Sequence, residues 1–88
     1  MNNTLKVPMV IRHREIDDIM VYTGFVPGFA EDDVISIDFE QCKKLLKERT
    51  RQNLERYIDE KLKFPFFPTE KEIREDFKDV VYIKFLEI

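Results

Sequence analysis

The single histidine of the chain is the first residue that could do chemistry. His13 could act as a general base or a metal ligand, but either role needs a nucleophile or a second ligand close by. The sequence shows no Ser-His-Asp spacing and no Cys/His pattern typical of a zinc site. Alternation along residues 5–13 places His13 with the apolar side chains of a strand. We therefore expect a partly buried, structural histidine.

The single cysteine has a reactive and a structural interpretation. Cys42 lies one turn into a predicted helix, and a helix N-terminus can lower the pKa of a thiol. Its neighbours at three and four residues are Phe39 and Leu46, which belong to an apolar stripe. The pattern favours a small, buried hydrophobic side chain.

A group of carboxylates suggests a divalent-metal site or acid/base chemistry. The group comprises Glu31, Asp32, Asp33 and Asp38, and its spacing does not match the calcium-binding loop pattern. Solvated loop acids and one helix N-cap explain all four residues, so we expect no catalytic residue, no metal and no cofactor. A small hydrolase or metal-dependent enzyme built on Asp33, Asp38 and His13 is a less favoured hypothesis.

A row of bases follows the longest predicted helix. Residues 39–63 hold eight bases and five acids, whereas the whole chain has a net charge of −3. Lys43, Lys47 and Arg51 recur every four residues and form a basic ridge, which nucleic-acid binding would use. No aromatic residue alternates with the ridge, so a solvated face with i,i+4 ion pairs is favoured. An acidic partner protein is a further alternative.

Composition limits the class of protein. The chain has 88 residues, of which 43% are hydrophobic and 38% charged, and we expect one domain over residues 1–88. Without a long apolar run or a signal-peptide pattern, we expect a cytoplasmic protein that does not contact membranes. The acidic balance disfavours a dominant nucleic-acid role.

Period-two alternation predicts the strands. The strands are expected at 5–12, with Pro8 indicating an edge strand or one that begins irregularly, and at 19–25, 34–37 and 80–86. A polar turn is expected at 15–18, a type II turn at Pro27 and Gly28, and a charged loop at 31–33.

Apolar spacing of three and four predicts a helix from Phe39 to about Lys63, capped by Asp38 with Gln41 in a capping box and ended by Pro65. Thr69 and Glu72 predict a second capping box and a short helix to about Lys78, with Ile73 and Phe77 facing inward. The loop at 64–68 is expected to cover the end of the long helix, with Phe66 and Phe67 as an alternative docking epitope.

Together these elements predict an α+β fold of order β-β-β-α-α-β, with an antiparallel or mixed sheet and one long helix on a face. A helix of about 36 Å exceeds strands of about 23 Å, so its second half should extend past the sheet. We therefore expect a homodimer, with contacts at Leu54, Tyr57, Ile58 and Leu62.

Several of these segments resemble the HicB-like antitoxin family. The resemblance runs from Ile19 to about Leu86, through a Leu-Pro-Gly-like turn at residues 25–29 and a helix start at residues 38–42. A proline-rich segment at 64–69 and the last strand also match. The family's Gly-Asp-Thr signature is reduced here to Ser36, Ile37 and Asp38, and the loop before the cap is longer.

The resemblance implies a trimmed RNase H-like core without catalytic acids, a homodimer, and the binding of a small, RNA-cleaving toxin. Because the chain ends after its last strand, operator binding is not expected. The first hypothesis is thus a non-enzymatic antitoxin-type module that uses Glu31, Asp32 and Asp33 against a small basic toxin. The alternative is a nucleic-acid-binding protein that uses Lys43, Lys47 and Arg51.

Overall fold

The structure is a computed structural model that describes residues 5–88, with the backbone alone for residues 30–32. It confirms the predicted α+β class, because one long helix packs on a four-stranded antiparallel sheet. The elements are β1 (Lys6–Ile16), β2 (Ile19–Val26), β3 (Ala30–Ser36), α1 (Phe39–Asp59), α2 (Glu70–Asp76) and β4 (Val80–Glu87). Neither helix in the described part of the chain is long and apolar enough to cross a membrane.

The first strand lies inside the sheet rather than at its edge, and Pro8 instead fits the other predicted alternative, an irregular beginning of the strand. The strand order is β3-β2-β1-β4, and the ladder with β2 begins only at Val10. Leu5 and Ile88 exchange two backbone hydrogen bonds of 3.0 Å. Along an antiparallel ladder such pairs alternate with pairs that share no hydrogen bond, and Pro8 with Phe85 is a pair of the second kind. The nitrogen of Pro8 therefore points away from β4, past the end of the β2 ladder. Its missing N–H removes no ladder hydrogen bond.

The hairpin between β1 and β2 is longer and tighter than predicted. Ile16 pairs with Ile19, so only Asp17 and Asp18 form the turn. Both have positive φ, 51° and 66°, as a type I′ turn requires. Aspartate tolerates this backbone conformation, which allows a two-residue turn without glycine.

The connection between β2 and β3 contains the predicted turn. The Phe29 N–H donates to the Val26 carbonyl at 2.9 Å, and Gly28 has φ of 104°. Strand β3 then begins at Ala30 and ends at Ser36, so the predicted loop at residues 31–33 is wrong, and the strand predicted at 34–37 starts four residues earlier and ends one residue earlier. Pairing with β2 starts at once, as Val26 faces Ala30. Charged residues suit this position because β3 is an edge strand.

The cap of α1 is as predicted, whereas its end is not. The Asp38 carboxylate accepts from the backbone N–H groups of Glu40 at 2.9 Å and Gln41 at 3.3 Å. The Gln41 side chain accepts from the Ser36 hydroxyl, so the predicted reciprocal capping box does not form.

The helix ends at Asp59 rather than near Lys63. Lys61 has φ of 54° and donates to the Ile58 carbonyl, and Leu62 donates to the Tyr57 carbonyl at 2.9 Å. This is a Schellman motif formed without glycine, and it ends α1 before Pro65 has any influence.

The capping box of α2 forms as predicted, since Thr69 and Glu72 exchange side-chain-to-backbone hydrogen bonds of 3.3 and 3.1 Å. The helix ends at Asp76, two residues before the predicted end, because Phe77 adopts an extended backbone.

The two helices cover opposite faces of the sheet. Alternation along β1 places Val7, Met9 and Ile11 under α1, in a cluster with Cys42, Leu46 and Leu54. Val10 points the other way and packs with Phe25 and Ile73 of α2. We call these the α1 face and the α2 face.

Close approach of α1 to the sheet depends on Gly24. A Cβ atom there would lie 2.8 Å from Val34 Cγ2 and 3.2 Å from Leu46 Cδ2. The helix thus lies directly on β2 and β3, with fewer contacts to β1. The α1-face side chains of β4 are only partly covered, and this creates the groove described below.

Candidate functional site

The structure gives His13, Asp33 and Asp38 separate partners. The imidazole of His13 stacks on the Tyr22 ring, with centroids 4.4 Å apart and planes inclined by 10°. Asp33 pairs with Arg49 at 3.8 Å, and Asp38 caps α1. In residues 5–29 and 33–88, no group of three His, Cys, Asp or Glu side chains is arranged to hold a metal.

Cys42 is fully buried on the α1 face, as the apolar stripe predicts. Its Sγ donates to the Tyr22 carbonyl at 3.7 Å. Burial raises the pKa of the Cys42 thiol above its ordinary value, because the low-dielectric interior disfavours the thiolate. The position therefore keeps the sulfur in its unreactive form.

The acidic residues expected to bind a partner are described only in part. The side chains of Glu31 and Asp32 lie outside the described residues. The described member, Asp33, faces Arg49 of α1 and is mostly covered.

The basic ridge of α1 has aromatic neighbours that the sequence pattern did not reveal. The Lys43 ammonium lies 5.0 Å from the centroid of the Phe39 ring and 5.7 Å from that of the Tyr82 ring. It also pairs with Glu40 at 3.0 Å. Phe39 lies one turn before Lys43 on α1, whereas Tyr82 is on β4, 39 residues further along the chain, and joins the ridge only through the fold.

A groove runs between α1 and β4 on the α1 face. It encloses about 260 Å³ and is lined by Met9, Glu40, Lys43, Lys44, Leu46, Lys47, Tyr82, Lys84 and Leu86. Four lysines form its walls, and apolar and aromatic side chains form its floor. We call it the lysine groove.

A second depression continues the lysine groove along α1. It has a volume of about 320 Å³ and shares Lys44 and Lys47 with the lysine groove, adding Glu48 and Arg51. All three members of the predicted ridge thus line one continuous basic surface. In the sequence, alternation along β4 places Tyr82, Lys84 and Leu86 on one face of the strand. That pattern is the sequence signal for the wall of the lysine groove that β4 forms.

The α2 face has an uncovered region at the opposite edge of the sheet. Ile19, Ile35 and Ile37 are 57%, 56% and 77% exposed. Ile35 pairs with Thr23 on β2, and alternation along β2 places Ile19 on that same face. Ile37 lies in the bend that follows β3 and is the most exposed of the three. We call these three residues the isoleucine patch, which sequence reasoning missed.

Charge in the chain segment that contains the isoleucine patch has one sign, although Arg14 of β1 pairs with Val21 on the same face of the sheet. Residues 15–38, which include β2 and β3, contain seven acids and no lysine, arginine or histidine. Asp17 and Asp18 precede Ile19, and Asp38 follows Ile37. The isoleucine patch and the lysine groove therefore differ in charge as well as position.

The second half of α1 is better covered than predicted. Leu54 is buried, and the Tyr57 ring stacks between Phe29 at 4.8 Å and Phe64 at 5.4 Å. Phe67 contacts Phe29 edge-on, so the loop at 64–68 covers the helix end as predicted.

The remaining side chains at this end stay open to solvent. They are Ile58, 60% exposed, Leu62, 40% exposed, and Phe66, 87% exposed. Of the four predicted dimer contacts, Ile58 and Leu62 thus have substantial free surface.

The comparisons with known proteins identify no relative. No family model, no curated protein and no solved structure gives a significant match to this chain. The likeness to HicB-like antitoxins therefore stays a prediction from residues 19–86.

Proposed function

We propose that the protein is a non-catalytic, protein-binding module of the HicB-like antitoxin type, which binds and neutralises a small, basic, RNA-cleaving toxin. The observation that carries this proposal is the isoleucine patch, which is an apolar surface inside a segment with seven acids and no base. No cofactor takes part in such a function.

The patch supports a protein partner because exposed, clustered apolar side chains mark interaction surfaces. Ile35 and Ile37 supply contact area, and burying one isoleucine contributes roughly 1.5–3 kcal/mol. The surrounding acids favour a basic partner, because complementary charge speeds encounter and rejects acidic competitors.

Strand β3 adds a second mode of contact. It lies at the sheet edge beside the patch, with β2 on its other side. An edge strand can accept an extended segment of a partner through main-chain hydrogen bonds, with alternate side chains giving specificity. A toxin segment paired to β3 would place apolar side chains against Ile35.

The test is inhibition of RNA cleavage by a small basic protein encoded beside this gene. We expect the wild-type chain to co-purify with it and to inhibit cleavage. Ile35→Asn should weaken inhibition about tenfold, which corresponds to about 1.4 kcal/mol. Val81→Asn is the matched control, because Val81 is 50% exposed on the other edge strand. The absence of such a neighbour, or equal losses in both variants, would contradict the proposal.

We also propose that the module is a homodimer that associates through Ile58, Leu62 and Phe66. Residues 54–66 hold three acids and three bases, so two copies of this surface do not repel each other. The acidic segment at 15–38 would repel its own copy, which favours the α1 end for self-association.

Light scattering tests the homodimer. We expect a mass near twice 10.7 kDa, and Ile58→Glu should halve that mass, whereas Ile19→Glu should leave it unchanged. A monomer mass for the wild-type chain at micromolar concentration would refute it.

A further inference from the structure

The lysine groove carries an inference that is independent of the proposed antitoxin function. Lys44, Lys47 and Lys84 are exposed, and none of the described ion pairs involves them. Lys43, by contrast, is held by Glu40 and by two rings. Three unengaged ammonium groups around one concave surface concentrate positive potential on a chain whose net charge is −3.

The extent of the basic surface favours a ligand with several negative charges. From Lys43 to Arg51 the helix rises about 12 Å at ~1.5 Å per residue. One phosphate group cannot contact cations spread over that length. The two depressions share Lys44 and Lys47, so a chain of phosphates could follow the surface from Lys84 to Arg51.

The floor of the groove favours a ligand that also has flat, apolar parts. Tyr82 lines the groove beside Met9 and Leu86, and its ring packs edge-on against Phe39 with centroids 5.8 Å apart. Single strands expose their bases, which stack on aromatic side chains while lysines contact the backbone. Duplexes keep their bases stacked inside, and an acidic polypeptide offers carboxylates without the planar bases.

We infer that the lysine groove binds single-stranded nucleic acid, with Lys44, Lys47, Lys84 and Arg51 on the phosphates and Tyr82 against a base. RNA and single-stranded DNA share this chemistry. The surface lies on the α1 face, away from the isoleucine patch on the α2 face, so the two ligands can bind at the same time.

Fluorescence anisotropy with labelled oligonucleotides tests the inference. The probes are a twelve-nucleotide oligouridine, the matching oligothymidine, a twelve-base-pair duplex, and polyglutamate as a competitor. We expect the single strands to bind most tightly, and their relative affinity distinguishes RNA from DNA. The logarithm of affinity should fall with the logarithm of salt with a slope of about −3, as four contacted phosphates predict.

Charge-reversal variants distinguish binding in the lysine groove from non-specific attraction to any exposed lysine. Lys47→Glu with Lys84→Glu should weaken oligouridine binding by more than about tenfold. Lys71→Glu is the matched control on α2, where the side chain is exposed on the other face of the sheet, and it should change affinity less than twofold. The melting temperature of each variant verifies folding, and Lys47→Gln with Lys84→Gln replaces the double reversal if the latter unfolds.

The base contact has its own test. Tyr82→Leu should weaken oligothymidine binding about fivefold or more, as loss of one stacked base predicts. It should leave binding of an abasic oligomer of the same length unchanged. The inference is overturned if oligouridine does not bind at 50 mM salt, or if the duplex or polyglutamate binds more tightly than the single strands. It is also overturned if Lys71→Glu weakens oligouridine binding as much as the double lysine variant does. A Tyr82→Leu variant that weakens binding of oligothymidine and of the abasic oligomer equally would overturn it as well. A wild-type chain that binds oligouridine without inhibiting a toxin would refute only the antitoxin proposal.

Discussion

The two faces of the sheet are covered to different extents, and each leaves a different part open. The α1 face has a helix of 21 residues over β1, β2 and β3, and the β4 side is only partly covered. The α2 face has a helix of seven residues that buries one isoleucine, Ile73, and the side chain of Ile35 on the edge strand β3 stays uncovered. The open part of the first face is basic, and that of the second is apolar and bordered by acids.

This difference shows how a small domain can provide two surfaces. A single sheet of four strands needs apolar cover on both faces, and 88 residues supply one long helix and one short helix. The stability of the domain should therefore depend mainly on the α1 face. The α2 face should contribute locally and tolerate more change.

The largest expected effect is on the α1 face. Leu46 is 1% exposed and contacts the centre of the sheet. We expect Leu46→Ala to lower the free energy of unfolding by about 3 kcal/mol, from lost burial and the cavity left behind. Urea unfolding measures the change. Its control is Leu45→Ala, at the helix position beside it, which should cost less than about 1 kcal/mol because Leu45 is partly exposed.

A somewhat smaller effect is expected for the matching change on the α2 face. Ile73→Ala removes the one buried side chain of α2, at a cost of about 2 kcal/mol. Hydrogen exchange should show faster exchange in α2, while α1 amides keep their relative protection. Equal loss of protection in both helices would show that the faces are not independent.

A gain of stability is expected at one threonine on each face. The hydroxyls of Thr23 and Thr50 are buried and have no hydrogen-bond partner among the described residues. Thr23→Val and Thr50→Val should each raise the free energy of unfolding by about 1 kcal/mol, because an unpaired buried hydroxyl is costly. Thermal unfolding measures it. Thr69→Val removes a hydroxyl that caps α2 and should have the opposite sign, at about 1 kcal/mol.

The smallest expected effect depends on pH. Arg12 donates to both Asp79 oxygens, at 2.7 and 3.2 Å, and these hydrogen bonds hold the pKa of Asp79 below its ordinary value. A lowered pKa contributes stability above pH ~4, which is lost as the pH falls through the folded-state pKa. Asp79→Asn should cost about 0.5 kcal/mol at pH 7, since solvent screens a partly exposed pair.

That cost should disappear as the pH falls through the folded-state pKa of Asp79, because the wild-type carboxyl is then also protonated. Melting temperatures of both proteins across this range measure it. A constant difference at every pH would assign the effect to packing of Asp79 rather than to its charge.

Local signals allowed much of the fold to be predicted from the sequence. Asp38, Thr69 and the Pro27–Gly28 turn act within a few residues of themselves, and each takes the predicted role. The early end of α1 has a local cause, the Schellman motif at Lys61, which no glycine signals. The position of β1 depends on distant segments instead, because the pairing of β4 beside it makes β1 a central strand despite Pro8.

The functional surfaces were harder to predict for the same reason. The basic ridge was visible in α1, but Tyr82 and Lys84 join it only because β4 crosses the sheet beside β1. Ile35 is exposed because α2 is too short to cover it. No residue near β3 in the sequence indicates how long α2 is.

The most direct test of the proposed function compares two variants in one binding measurement. The dissociation constant of the complex with the neighbour-encoded basic protein is measured for wild type, Ile35→Asn and Lys47→Gln. We expect Ile35→Asn to raise this constant about tenfold and Lys47→Gln to change it less than threefold, because the proposed binding site is the isoleucine patch. A complex weakened mainly by Lys47→Gln, or unaffected by Ile35→Asn, would contradict the account.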